Sequence, residues 1–113
     1  MCLKKIWDAL LYSLSGFKFL LNERAFIQEL FLGVVVFLLI CFFKPSTFEF
    51  VYIISSYFLV LITEAINTGI ETVVDRISLK QNPLSKKAKD IGSAAVFLSL
   101  IHLAIVSFVI FMR

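Results

Sequence analysis

The stretch FEFVYIISSYFLVLITEAINTGIETVVDR, running from Phe48 to Arg76, decides how this chain is read. Its first half is almost wholly apolar, and its second half carries Glu64, Asn67, Glu71 and Asp75. Steps of three, four and four return to one helix face, because a turn takes about 3.6 residues. The four polar residues form a stripe about 16 Å long on an otherwise apolar helix. Ionisable groups at membrane depth are costly, so such a stripe marks a functional site by default.

The surrounding composition agrees with a membrane setting. At 113 residues the chain makes a single domain, 1–113. Hydrophobic residues make up 60% of it, and thirteen phenylalanines exceed what one soluble core of this size could hide. The expected class is an all-α integral membrane protein. Cys2 and Cys41 provide neither a zinc spacing nor a disulfide framework. Gly16, Gly33, Gly69 and Gly92 are isolated, which excludes a standard phosphate loop. The net charge of +3 is modest, and no nucleic-acid partner is expected.

Outward from the stripe, residues 3–21 place Leu3, Ile6, Trp7, Leu10, Leu14, Phe17 and Leu21 on one helical face. Lys4, Asp8, Tyr12, Ser15, Lys18 and Asn22 fall opposite. That is the pattern of an amphipathic helix lying in the headgroup plane. Asp8, Lys18 and the lack of a small-residue cleavage site argue against a signal peptide. Asn22 is expected to cap the next helix. The apolar run Leu30–Phe43 is too short to span alone, so a first span over about 25–43 must recruit Gln28 and Glu29. Those two residues read either as ordinary interface residues or as facing a cavity near the headgroups. Lys44-Pro45-Ser46 is a turn. A second span covers about 48–72, a basic loop 76–90 leads into a helix after Pro83, and a third span covers about 91–112. His102, the lone titratable group of that third span, is expected to hydrogen-bond between helices.

Lysines and arginines set the orientation. Nine lie before the first span or between the second and third, against Lys44 and Arg113 on the other side. The positive-inside pattern predicts a multi-pass protein with a cytoplasmic N-terminus and a C-terminus outside. Glu23, Glu29, Glu64, Asn67, Glu71, Asp75, Lys89 and Asp90 then gather at the cytoplasmic boundary.

Three chemistries suit such a cluster. Phosphoryl transfer needs a divalent cation on hard oxygen ligands, a cation on the phosphates and a carboxylate that takes the proton of an attacking hydroxyl. Glu64, the deepest acid, suits the base; Glu23 and Glu71 are placed to share a metal. Asn67 is placed to orient a phosphate or water, while Lys89 and Asp90 open the third helix where a nucleotide would sit. Ion translocation would need polar residues through the full bilayer depth, and here they stop at one side. A non-enzymatic role, with the acids merely pairing with nearby cations, accounts for any single residue better than for four on one face.

Two motifs carry a family resemblance. Glu64-Ala-Ile-Asn67-Thr-Gly-Ile-Glu71-Thr-Val-Val-Asp75-Arg76, followed by Lys87-Ala-Lys89-Asp90-Ile-Gly-Ser-Ala-Ala-Val96, closely resembles the small prokaryotic diacylglycerol kinases. Glu23-Arg-Ala-Phe-Ile-Gln28-Glu29 resembles the segment that opens the family's first span. The resemblance implies a homotrimeric bundle in the bacterial inner membrane, each protomer having a surface helix and three spans, with a periplasmic C-terminus. It implies transfer of the γ-phosphate of Mg2+-ATP to diacylglycerol, giving phosphatidic acid. Carried over by position, Glu64 is the general base, and Glu23 and Glu71 are metal and ATP ligands. Lys5, Tyr12, Asn67, Asp75, Lys80, Gln81, Asn82, Lys89 and Asp90 fall at nucleotide positions. Ala25, Gln28, Glu29, Glu64 and Ser93 fall near the lipid. Lys80-Gln81-Asn82 departs from the family's pattern, which places an aromatic and a histidine in that loop. A relative within the family phosphorylates undecaprenol instead, and the Asp90-Ile-Gly-Ser-Ala-Ala run resembles the diacylglycerol kinases more.

Overall fold

A computed structural model describes residues 2–113 and holds four α-helices among them: α1 (Leu3–Leu20), α2 (Arg24–Phe43), α3 (Thr47–Ile77) and α4 (Pro83–Phe111). The last three are each long and apolar enough to cross a bilayer. This is a membrane protein. Its exposed leucines, valines and phenylalanines are the surface such helices turn toward lipid.

Local chemistry accounts for the helix ends. Lys44 adopts a left-handed backbone (φ 48°) and its N–H reaches the Ile40 carbonyl, while Pro45 prevents α2 from continuing. Ser46 then starts α3 through a capping box: its hydroxyl accepts from the Glu49 N–H, and its own N–H donates to Glu49 Oε1 at 2.9 Å. Asn82 starts α4 by accepting from the Leu84 N–H at 2.8 Å, with Pro83 at the first helical position. Only residues 78–82 separate α3 from α4, so the expected 76–90 loop is mostly helix. This strong start and the i,i+4 pair Lys86–Asp90 explain the difference.

Two other expectations change. Asn22 does not cap α2; its side-chain amide instead donates to the Lys18 carbonyl at 3.2 Å, and Glu23 takes the cap position without a side-chain hydrogen bond. His102, expected to hydrogen-bond between helices, is exposed on α4 of the protomer and makes no side-chain hydrogen bond among the described residues.

The core sits between α2, α3 and α4, where Val36, Ile53, Val60 and Leu103 are buried together. Between helices in lipid, packing and hydrogen bonds take over from hydrophobic drive, so close approach matters. Glycine supplies it twice. A Cβ on Gly33 would collide with the Tyr57 side chain, and one on Gly92 would collide with Asn67 Oδ1. At the end away from the polar stripe, Arg113 pairs with Glu49 at 2.6 Å, tying the end of α4 to the start of α3. α1 buries none of its residues.

With 31 residues, α3 runs about 46 Å, well beyond the roughly 30 Å of a hydrocarbon core. That length leaves room for its polar last turns to lie outside the apolar layer.

Candidate lipid and nucleotide site

Along α3 the polar stripe changes environment step by step. Glu64 and Asn67 are buried, Glu71 is half-buried and Asp75 is exposed. The Asn67 amide donates to Glu71 Oε1 at 3.3 Å, linking the two middle members, while its Oδ1 is buried without a partner against Gly92. Only a residue without a side chain lets α4 come this close to Asn67.

α2 completes the buried end. Glu29 retains 8% of its exposure, and its Oε2 has no partner. Glu64 stands close enough for its charge to act on Glu29. Glu23 and Glu71 act on Glu64 in the same way. Two of these carboxyl groups, Glu29 and Glu64, are buried, and buried acids are candidates for handling cations or protons.

The exposed end opens into a pocket of about 690 Å3 between the end of α3 and the start of α4. Asp75, Lys80, Gln81, Asn82, Lys89 and Asp90 all line it. Lys89 Nζ lies 2.7 Å from Asp75 Oδ1, and Lys86 Nζ lies 2.5 Å from Asp90 Oδ2. In these charged first turns of α4, ahead of the apolar part that begins at Ile91, both ammonium groups are pushed above their ordinary value. The Asp75 hydrogen bond is the main cause for Lys89, and the Asp90 hydrogen bond for Lys86. Both cations therefore stay charged.

The remaining expected site residues are less gathered. Ala25, Gln28 and Ser93 are exposed on their helices, as is Glu23 at the start of α2. Lys5 and Tyr12 lie exposed on α1 and do not line the pocket. Among the described residues no three His, Cys, Asp or Glu side chains form a ready-made metal cage. The donor set instead offers hard carboxylate oxygens in small number, which suits a cation completed by phosphate and water. Ser78, Ser85 and Lys86 line the pocket without having stood out in the sequence, where a serine or lysine in a basic turn carries no distinguishing signal.

The sequence pattern described as prokaryotic diacylglycerol kinase matches residues 11–111. The chain belongs to the prokaryotic diacylglycerol kinase family. The diacylglycerol kinase of Haemophilus influenzae is 44% identical over 96 residues, covering 84% of this chain and 81% of the relative. That of Pseudomonas aeruginosa is 44% identical over 99 residues, 87% of this chain and 80% of the relative. The diacylglycerol kinase of Escherichia coli K12 is 45% identical over 84 residues, 72% of this chain and 66% of the relative. The matched region takes in α2, α3 and α4 whole and the second half of α1; Lys5 falls outside it. Diacylglycerol kinases are lipid kinases, enzymes that use a nucleotide together with a metal ion. The α3–α4 pocket and the carboxylate cluster belong to such an enzyme.

Proposed function

We propose that the protein phosphorylates diacylglycerol with ATP at the cytoplasmic face of the bacterial inner membrane, yielding phosphatidic acid and ADP. The observation that carries this reading is the gradient along α3, from buried Glu64 to exposed Asp75 beside a lysine-lined pocket. One end suits a lipid hydroxyl and the other a soluble nucleotide.

In this reading the hydroxyl of diacylglycerol enters from the lipid beside Glu64, with Ala25, Gln28, Glu29 and Ser93 around the substrate. The Glu64 carboxylate takes the hydroxyl proton as the oxygen attacks the γ-phosphorus, and the bond to the β-phosphate oxygen breaks. Glu23 and Glu71 hold Mg2+, which supplies charge neutralisation on the phosphates when bound. The partnerless Asn67 Oδ1 and its amide, already on Glu71, orient water or phosphate between base and metal ligand. Lys89 and Asp90 hold the nucleotide with Asp75 and the Lys80-Gln81-Asn82 turn, while Lys5 and Tyr12, on the surface helix outside this pocket, are assigned to the nucleotide by the family resemblance alone. Holding both reactants in line is itself a large part of such catalysis.

The protomer works as a homotrimer, with its N-terminus cytoplasmic and its C-terminus periplasmic. The outward-facing polar residues Glu23, Gln28 and Ser93 favour this assembly, since a neighbour would cover them. Purified protein in mixed micelles, offered diacylglycerol and undecaprenol with radiolabelled ATP, tests the reading. Labelled phosphatidic acid is expected. Preferential labelling of undecaprenol would replace the substrate, and no labelling of either lipid would replace the reading with a structural or transport role.

A further inference from the structure

We propose that Tyr57 is a positioning residue for this reaction: with Gly33, it holds α2 so that Glu29 stands beside Glu64. The Tyr57 hydroxyl donates to the Glu29 backbone carbonyl at 2.9 Å. In a helix that carbonyl already accepts from the N–H of the residue four further on, here Gly33. A side chain there would shield the carbonyl, and a Cβ on Gly33 would collide with the Tyr57 hydroxyl and ring. The absent side chain and the incoming hydroxyl are one device. The ring cannot simply swing aside, because it packs against the buried cluster of Val36, Ile53, Val60 and Leu103.

The position of this clasp matters more than its strength. α2 packs on α3 much less extensively than α4 does. The short 44–46 turn joins α2 to α3 at the end away from Glu29. Among the described residues, the Tyr57 hydroxyl makes the one side-chain hydrogen bond between α2 and α3. Tyr57 precedes Glu64 by seven residues, two turns on the same side of α3, or about 10 Å along its axis. Fixing Glu29 to Tyr57 therefore fixes its distance from Glu64. Loss of the hydroxyl lets the α2 end relax and carries the buried Glu29 carboxyl, with its partnerless Oε2, away from Glu64.

The inference rests on Glu29 serving the lipid side of the site. Steady-state kinetics in mixed micelles on wild type, Tyr57→Phe, Glu29→Gln and the double variant test both. Tyr57→Phe is expected to raise the KM for diacylglycerol about fivefold, the effect of one hydrogen bond, with the KM for ATP unchanged. On the Glu29→Gln background the same change should add nothing, because it acts through Glu29. Gly33→Ala should act in the same direction and more strongly; if it does not fold, the conservative Tyr57→Phe carries the test alone. A Tyr57→Phe enzyme that loses kcat and thermal stability with both KM values intact, or that adds its full effect to Glu29→Gln, overturns the inference. So does a silent Tyr57→Phe beside an impaired Glu29→Gln, which leaves the role of Glu29 standing. A silent Glu29→Gln would remove that role and the inference together.

Discussion

Replacing Gly92 with alanine asks whether the contact between α3 and α4 sets the geometry of the candidate site. A Cβ there would meet Asn67 Oδ1 at a distance real side chains do not tolerate, with the Asn67 amide carbon close behind. Asn67 is buried and its amide is held by Glu71, so it has little room to retreat. Either Asn67 turns away and releases Glu71, or α4 moves outward and takes Lys89 with it. Overpacking of this kind costs about 1–3 kcal/mol. A displacement on the order of 1 Å in a positioned site costs roughly a hundredfold in rate. Gly92→Ala is thus expected to lose activity far out of proportion to its loss of stability. The assay is kcat in mixed micelles beside the half-life of thermal inactivation. Gly69→Ala provides the control: within the protomer nothing lies within 4 Å of its added Cβ. Alanine in an exposed helical position gains about 0.5–1 kcal/mol over glycine, so that variant should inactivate more slowly. A Gly92→Ala enzyme with wild-type kcat would refute the packing argument.

Two further predictions concern the nucleotide end. Glu71→Gln should raise the Mg2+ concentration needed for half-maximal activity, and an unchanged Mg2+ dependence would remove Glu71 from the metal. Asp75→Asn removes the hydrogen bond that holds the Lys89 ammonium above its ordinary value of 10.5, so Lys89 should lose its proton at lower pH. The stabilising pair is fully present below that value and is lost as pH rises through the raised one, so the alkaline fall in ATP binding should begin earlier in the variant. Measuring KM for ATP along the alkaline limb checks this.

Much of the architecture was legible because it is periodic or local. The 3.6-residue repeat placed Glu64, Asn67, Glu71 and Asp75 on one face, and their order of burial follows from where an apolar run ends. Ser46 with Glu49 and Asn82 with Pro83 start helices by chemistry contained within a few residues. Asn22 misled because two polar residues, Asn22 and Glu23, compete for one cap, and the Lys18 carbonyl claimed the first. What pattern could not carry is pairing across helices. Nothing in the sequence joins Gly33 to Tyr57 or Gly92 to Asn67, since each match depends on how far apart two axes lie. Gln28 and Glu29 are adjacent, yet only Glu29 turns inward, a choice fixed by the rotation of α2 against α3. A lone histidine in an apolar helix predicts a hydrogen bond between helices, but the rotation of α4 leaves His102 exposed on the protomer.

The most direct test of the account is phosphate transfer by Glu64→Gln. The amide keeps the size of the carboxylate and cannot take the hydroxyl proton. With radiolabelled ATP and diacylglycerol in mixed micelles, the variant should produce no labelled phosphatidic acid above background while migrating with the same oligomeric size as wild type. Near-normal turnover by that variant would contradict the assignment of the base on which the whole reading of α3 depends.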